Sequence, residues 1–90
     1  MLNTEITSWN PNYLSKLPLH AQLAKIVKQK ISKGQISAGN SLPIPALGAS
    51  KLGVAVHIIK EAYEELQSEG FGGICKDGSF LISTKNGLLN

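Results

Sequence analysis

The residue types that most often perform chemistry are few in this chain, and their spacing is unlike that of a catalytic or metal site. Cys75 is the single cysteine, and His20 and His57 lie far from it in sequence, so no metal-ligand spacing and no cysteine-histidine pair is predicted. Four carboxylates recur at helical steps: Glu61, Glu64, Glu65 and Glu69. Such a row is typical of a solvated acidic helix face rather than of acid-base catalysis. The sequence therefore predicts no enzyme, no metal site and no cofactor.

Lysine is the remaining side chain with a clear chemical preference, because its ammonium group binds phosphate. Residues 1–60 hold seven lysines and one acidic residue, whereas residues 61–90 hold two lysines and five acidic residues. The whole chain carries a net charge of +3 and contains no arginine, the residue best suited to bidentate contacts with guanine or phosphate. The net charge is compatible with nucleic-acid binding, but the position of the lysines in the domain determines whether they can contact a nucleic acid.

Length and composition limit the architecture. Ninety residues, 42% of them hydrophobic, suffice for one small domain with its own core. The lone cysteine excludes an intramolecular disulfide, and the N-terminus lacks the basic and apolar runs of a signal peptide. Every apolar segment is interrupted well before the ~20 residues that cross a bilayer. We therefore expect a soluble cytoplasmic domain that does not contact a membrane.

Two helices are predicted in the first half of the chain. Apolar residues at three- and four-residue steps predict a helix over residues 18–34, begun by a first-turn proline and ended by a glycine. Residues 34–41 are rich in turn formers. The prolines that follow allow a second, short helix only from residue 45 or 46 to about Leu52, with Leu47 and Leu52 facing inward. Gly53 is predicted to end this helix and to allow the tight turn that follows.

A third helix and a hairpin are predicted in the second half. The helix covers residues 54–68, with Ala55 and Ile59 among its inward residues and with His57 and Lys60 facing outward. Two apolar runs then flank a tight Asp-Gly turn, which is a strong hairpin signal. The runs are residues 71–74 and 79–83, and the turn is residues 76–78.

The order helix, short helix, tight turn, helix and hairpin predicts an α+β winged helix-turn-helix domain, in which the hairpin is the wing. The chain then divides into an extended N-terminal arm over residues 1–16, the domain over residues 17–84 and a short tail over residues 85–90. Trp9 and Tyr13 are candidate anchors of the arm on the core.

Five sequence blocks sharpen this prediction. They are PLHAQL from Pro18, ISKGQISAGNSLP from Ile31, LGV from Leu52, EAYEELQSEGF from Glu61 and GSFL from Gly78. Over about residues 17–82, the chain resembles the N-terminal DNA-binding domain of the GntR family of bacterial transcriptional regulators. The resemblance implies DNA contacts from the start of the second helix, the start of the third helix and the wing.

At these contact positions the chain departs from the family pattern. Ile44 and Ala46 stand where the family usually has Ser and Arg, and Val56 and Ile58 stand where it has Arg and Thr. Only Lys60 keeps a charge. The family's serine before the third helix is also absent, which removes an N-cap worth typically ~1 kcal/mol.

Two functions remain open at this point. The first is a bacterial, plasmid-borne or phage regulator that binds duplex DNA with its third helix in the major groove. Its expected contact residues are Lys51, His57, Lys60, Lys76 and Ser79. The second is a winged helix that no longer binds DNA and holds a protein partner on an apolar face. The residues of that face are Ile44, Pro45, Ala46, Val56 and Ile58. In either case we expect no small-molecule effector, and a homodimer would form through the arm, the first helix or the tail.

Overall fold

The computed structural model describes residues 11–83 as three helices and one small antiparallel sheet. The helices are α1 (Leu19–Ser32), α2 (Pro45–Leu52) and α3 (Val56–Ser68). The strands are β1 (Ser41–Leu42), β2 (Gly72–Ile74) and β3 (Phe80–Ile82), and they lie in the order β1-β3-β2. The predicted α+β winged helix-turn-helix architecture is confirmed. Within the described part of the chain, no helix combines the length and the apolar character that crossing a bilayer requires.

The described end of the arm, from residue 11, is attached to the helices by hydrogen bonds. The Tyr13 hydroxyl donates to the Leu52 carbonyl oxygen at 2.7 Å. The Gln22 side chain accepts from the Asn12 amide at 2.7 Å and donates to the Leu17 carbonyl oxygen at 2.9 Å. Tyr13 thus anchors the arm as expected, whereas Trp9 and the tail lie outside the described residues.

Helix α2 has the predicted limits but presents a different face to the core. Leu47, predicted to face inward, is 45% exposed, whereas Gly48 and Ala49 are buried. Small side chains therefore occupy the inward positions of this short helix, and Leu52 packs only partly against the core. Gly53 ends the helix in the left-handed conformation, with φ of +71°, and its amide donates to the Ala49 carbonyl oxygen at 2.8 Å. That conformation favours glycine and starts the tight turn into α3.

Helix α3 begins at Val56, later than predicted, because the backbone at Ala55 is extended (φ −71°, ψ 148°) and serves as the N-cap. Ala55, predicted to face inward, is therefore exposed. Its side chain makes no capping hydrogen bond. The buried side of α3 is formed by Ile59, Ala62, Tyr63 and Leu66.

We expect Ala55→Ser to stabilise the domain by about 1 kcal/mol, because a serine hydroxyl at the N-cap accepts a hydrogen bond from a first-turn amide. For a domain of this size, that corresponds to a rise of roughly 4–8 °C in Tm. Thermal unfolding followed by circular dichroism measures it. Ala38→Ser, at an exposed turn position, is the control and should leave Tm nearly unchanged. Equal shifts in the two variants would contradict the capping argument.

Tyr63 joins α3 to the wing and to the segment before α2. Its hydroxyl donates to the Pro43 carbonyl oxygen at 2.5 Å, and its ring centroid lies 5.5 Å from that of Phe80. Burial raises the pKa of Tyr63, so the hydroxyl keeps its proton and remains a donor. One side chain thus connects α3, strand β3 of the wing and the segment before α2.

The sheet contains the predicted hairpin and one additional strand. Strand β3 pairs with β2 and, on its other side, with β1, where Leu42 lies opposite Phe80. Strand β1 was not predicted, because two residues after a turn-rich segment carry no periodic signal. The wing turn is a three-residue loop: the Gly78 amide donates to the Cys75 carbonyl oxygen at 2.9 Å, and Gly78 has φ of +96°. A glycine with positive φ is typical of a hairpin loop that ends in a bulge.

Candidate nucleic-acid interface

The start of α2, the start of α3 and the wing turn meet around one open groove, here called the wing groove. It is lined by Ile44, Pro45, Ala46, Val56, Lys60, Lys76, Asp77 and Gly78. The groove therefore combines two lysines expected to contact DNA with four apolar residues expected on the alternative partner surface. The tertiary structure places both sets on one surface.

Contact between the wing turn and α2 forms the floor of this groove. A Cβ atom placed on Gly78 would lie 3.1 Å from Cδ of Pro45, so the absence of a side chain lets the turn approach the helix closely. Pro45 is buried, which corrects its assignment as an accessible partner-binding residue. Because the two residues are distant in sequence, no local pattern predicted their contact.

The remaining apolar positions differ in their exposure. Ile44 is 39% exposed, Val56 is 41% exposed and Ala46 is exposed. Ile58, by contrast, is half-buried, packs against the core and does not line the wing groove, so its assignment to the partner surface stays a prediction. The exposed apolar part of the wing groove consists of Ile44, Ala46 and Val56.

Along α3, the charge changes from basic to acidic away from the first turn. Val56, Lys60 and Glu64 are spaced four residues apart, so they follow one face of the helix. Lys60 lines the wing groove, and Glu64 lies further along, beside Ile74 of the wing. His57 is exposed on the first turn outside the groove. On this face of α3, only the part before Glu64 is therefore electrostatically suited to approach phosphate.

The wing turn carries opposed charges. Asp77 accepts hydrogen bonds from the Ser79 hydroxyl at 2.7 Å and from the Ser79 amide at 2.9 Å. These bonds lower the pKa of Asp77, the hydroxyl bond having the largest effect, so the carboxylate remains charged beside the exposed Lys76. The hydroxyl proton of Ser79, an expected DNA contact, is already directed to Asp77.

The structure therefore separates the five expected DNA contacts. Lys60 and Lys76 lie together on the wing groove, Lys51 and His57 are exposed outside it, and Ser79 is half-buried and hydrogen-bonded within the turn. The sequence analysis did not identify Asp77 as a partner of Ser79, although an Asp two residues before a Ser in a turn is a typical local hydrogen-bonding signal.

One of the three lysines of α1, Lys28, is paired with carboxylates on the side that faces α3. Lys28 Nζ lies 2.9 Å from Oε1 of Glu69, the C-cap residue of α3, and 3.8 Å from Oε2 of Glu65 on α3. His20 Nδ1 lies 3.4 Å from Oε1 of Glu65. The Lys28 contacts neutralise one positive charge of α1 on the side where it packs against α3. The net charge of the chain therefore overstates the charge available in the wing groove.

The described residues form no comparable arrangement for binding a metal ion. Among residues 11–83, no three His, Cys, Asp or Glu side chains are placed to share a metal ion. Cys75 is a free thiol exposed in the wing. The wing groove is thus the principal candidate interface.

The sequence is similar to several transcriptional regulators, although no protein-family model matches it. It is 42% identical over 57 residues to the uncharacterized HTH-type transcriptional regulator YhdI of Bacillus subtilis, a match that covers 63% of this chain and 12% of YhdI. It is 34% identical over 55 residues to YdeL of the same organism, covering 61% of this chain and 12% of YdeL. The chain thus spans about an eighth of the length of the curated relatives it matches.

Solved structures show the same architecture. YtrA from Sulfolobus acidocaldarius, a GntR-family transcription factor, superposes with a TM-score of 0.78 at 30% identity, covering 86% of this chain and 66% of YtrA. The DNA-binding domain of AraR in complex with operator ORX1 superposes with a TM-score of 0.68 at 25% identity, covering 83% of this chain and 93% of that domain. The family resemblance expected from the five sequence blocks is therefore confirmed, and the chain is a winged helix-turn-helix domain of the GntR type.

Proposed function

We propose that this domain binds duplex DNA as part of a transcriptional regulator, with the start of α3 in the major groove and the wing turn beside it. The observation that carries the proposal is that Lys60 of α3 and Lys76 of the wing, from separate elements, line one groove at the first turn of α3. The similar DNA-binding domain of AraR was solved in complex with operator ORX1, which supports duplex DNA as the ligand.

The start of α3 adds a second favourable feature. Ala55 offers no side-chain acceptor to the first-turn amides, so these amides are free of a side-chain cap and can donate to a phosphate oxygen. The helix dipole also favours an anion at this end. The loss of the capping serine, which costs stability, therefore does not remove the phosphate-binding capacity of the helix terminus.

The electrostatic contribution to binding is modest. Lys51, Lys60 and Lys76 are exposed, while Glu61 and Asp77 oppose them on neighbouring surface. If three phosphates are neutralised, the slope of log affinity against log salt is about −2.7, and affinity falls roughly 40-fold between ~50 and ~200 mM salt. This is far less than for a regulator that contacts phosphates with many basic residues.

The testing experiment is a salt titration of a fluorescent random-sequence duplex with the 90-residue protein and a triple variant. We expect Lys51→Ala, Lys60→Ala and Lys76→Ala together to weaken binding and to remove most of the salt dependence, because the phosphate contacts are lost. Fluorescence anisotropy measures both quantities.

The matched control removes the same charge from α1 and its C-cap residue through Lys25→Ala, Lys30→Ala and Lys33→Ala, and should largely keep the salt slope. Equal weakening in both triple variants would show nonspecific attraction by net charge. Absence of binding by the unmodified protein at ~50 mM salt would contradict the proposal and favour a protein partner on the wing groove.

We further infer that the protein acts in the cytoplasm and is not an enzyme, since the relatives are HTH-type and GntR-family transcription regulators. We also propose residues 17–84 as the domain, with residues 1–16 as an arm attached through Tyr13 and Gln22. Formation of a homodimer stays a prediction.

A further inference from the structure

We propose that the exposed apolar part of the wing groove recognises thymine, with Val56 in contact with a thymine 5-methyl group and Ile44 and Ala46 extending the same apolar surface. This inference rests on the proposed function and names the class of duplex that the domain prefers. The preferred sites contain thymine where the first turn of α3 faces the major groove.

The first argument for thymine recognition is the apolar character of the exposed side chains. Val56 is 41% exposed and Ile44 is 39% exposed, and neither side chain can donate or accept a hydrogen bond. Among the groups that bases display in the major groove, the thymine methyl is the one that apolar side chains contact favourably. Guanine, in contrast, is recognised through acceptors that require a donor, and the side chains of Val56, Ile44 and Ala46 provide none.

The surrounding charge favours DNA over an apolar protein surface as the occupant. Lys60 and Lys76 line the same groove as Val56, alongside Asp77, so an apolar patch shares the groove with two cations from different elements. This arrangement complements a major groove, in which apolar methyl groups lie between two negatively charged backbones. An apolar partner would leave both ammonium groups to be desolvated without compensation.

The groove is also preorganised. Close contact between Gly78 and Pro45 positions the wing turn against α2, and Ile58 packs the first turn of α3 against the core. Val56 is β-branched, so its methyl groups have one strongly preferred orientation in a helix. Little conformational freedom is therefore lost when Val56 contacts a base, which makes a single methyl contact measurable.

The experiment uses the 90-residue protein and the duplex that it selects from a random pool at ~50 mM salt. Each thymine of the selected duplex is replaced in turn by deoxyuridine, which removes the methyl group and leaves the base pair intact. At the contacted position we expect an approximately fourfold loss of affinity, which corresponds to the free energy gained by burying about one methyl group. In Val56→Ala the same replacement should have almost no effect.

Lys60→Ala is the control variant, since loss of a phosphate contact should weaken binding to the thymine and deoxyuridine duplexes by the same factor. Circular dichroism verifies that both variants remain folded. Binding that is unaffected by deoxyuridine at every position would overturn this inference while leaving the proposed function intact. A deoxyuridine effect that persists in Val56→Ala would overturn the assignment to Val56. Failure to bind any duplex would overturn the proposed function first.

Discussion

Phe80→Ala is expected to lower the free energy of unfolding by about 3–5 kcal/mol, the usual cost of replacing a buried phenylalanine by alanine. Phe80 is fully buried in the central strand β3, between Leu42 of β1 and Ile74 of β2. Its ring also packs against Tyr63 of α3. The substitution therefore leaves a cavity where the wing meets the helices.

This loss is a large fraction of the roughly 5–15 kcal/mol that stabilises a typical domain. Urea denaturation followed by circular dichroism measures it. The neighbouring Leu81 provides the control, because it belongs to the same strand but is 43% exposed, and Leu81→Ala should cost much less. If both alanine variants were equally stable, Phe80 would not be the attachment of the wing to the core.

Gly72→Ala is expected to cost about 3 kcal/mol, at the upper end of the usual range for overpacking. A Cβ atom on Gly72 would collide with the Leu81 carbonyl oxygen and lie 2.7 Å from Cε2 of Phe80. The carbonyl belongs to the backbone of the paired strand β3, so it cannot move aside as a flexible side chain would. The strands must separate or slide to admit the methyl group.

Gly73 offers a matched control within the same strand. A Cβ atom on Gly73 has no heavy atom nearer than Oε1 of Gln67 at 3.9 Å, so Gly73→Ala should be neutral or slightly stabilising. Chemical denaturation of the two variants gives the comparison. We also expect Gly72→Ala to weaken DNA binding, because a displaced β2 moves the wing turn away from Pro45. Equal stability of the two variants would exclude close packing at Gly72.

The elements with local signals were predicted well. The spacing of apolar residues predicted α1 and most of α3, and the Lys76-Asp77-Gly78 turn predicted the hairpin. The glycine at position 53 correctly marked the turn between α2 and α3. These features depend on residues a few positions apart, whose spacing and conformational preferences are present in the sequence itself.

The errors involve packing between distant segments. Strand β1 exists because residues 41–42 pair with β3, and nothing within that segment requires it. The buried face of α2 differs from the predicted one because the rest of the fold covers Gly48 and Ala49 rather than Leu47. In such a short helix, periodicity alone leaves the inward face ambiguous.

Local patterns and residue identity were enough to predict the winged helix-turn-helix order and the chemical types at the expected contact positions, including the lack of arginine. The availability of those residues depends instead on how the domain packs. The tertiary structure buries Pro45, half-buries Ile58, directs the Ser79 hydroxyl to Asp77, and places Val56 and Lys76 on one groove. Burial and proximity arise from contacts between segments far apart in the chain, and these contacts exist only once the domain has folded.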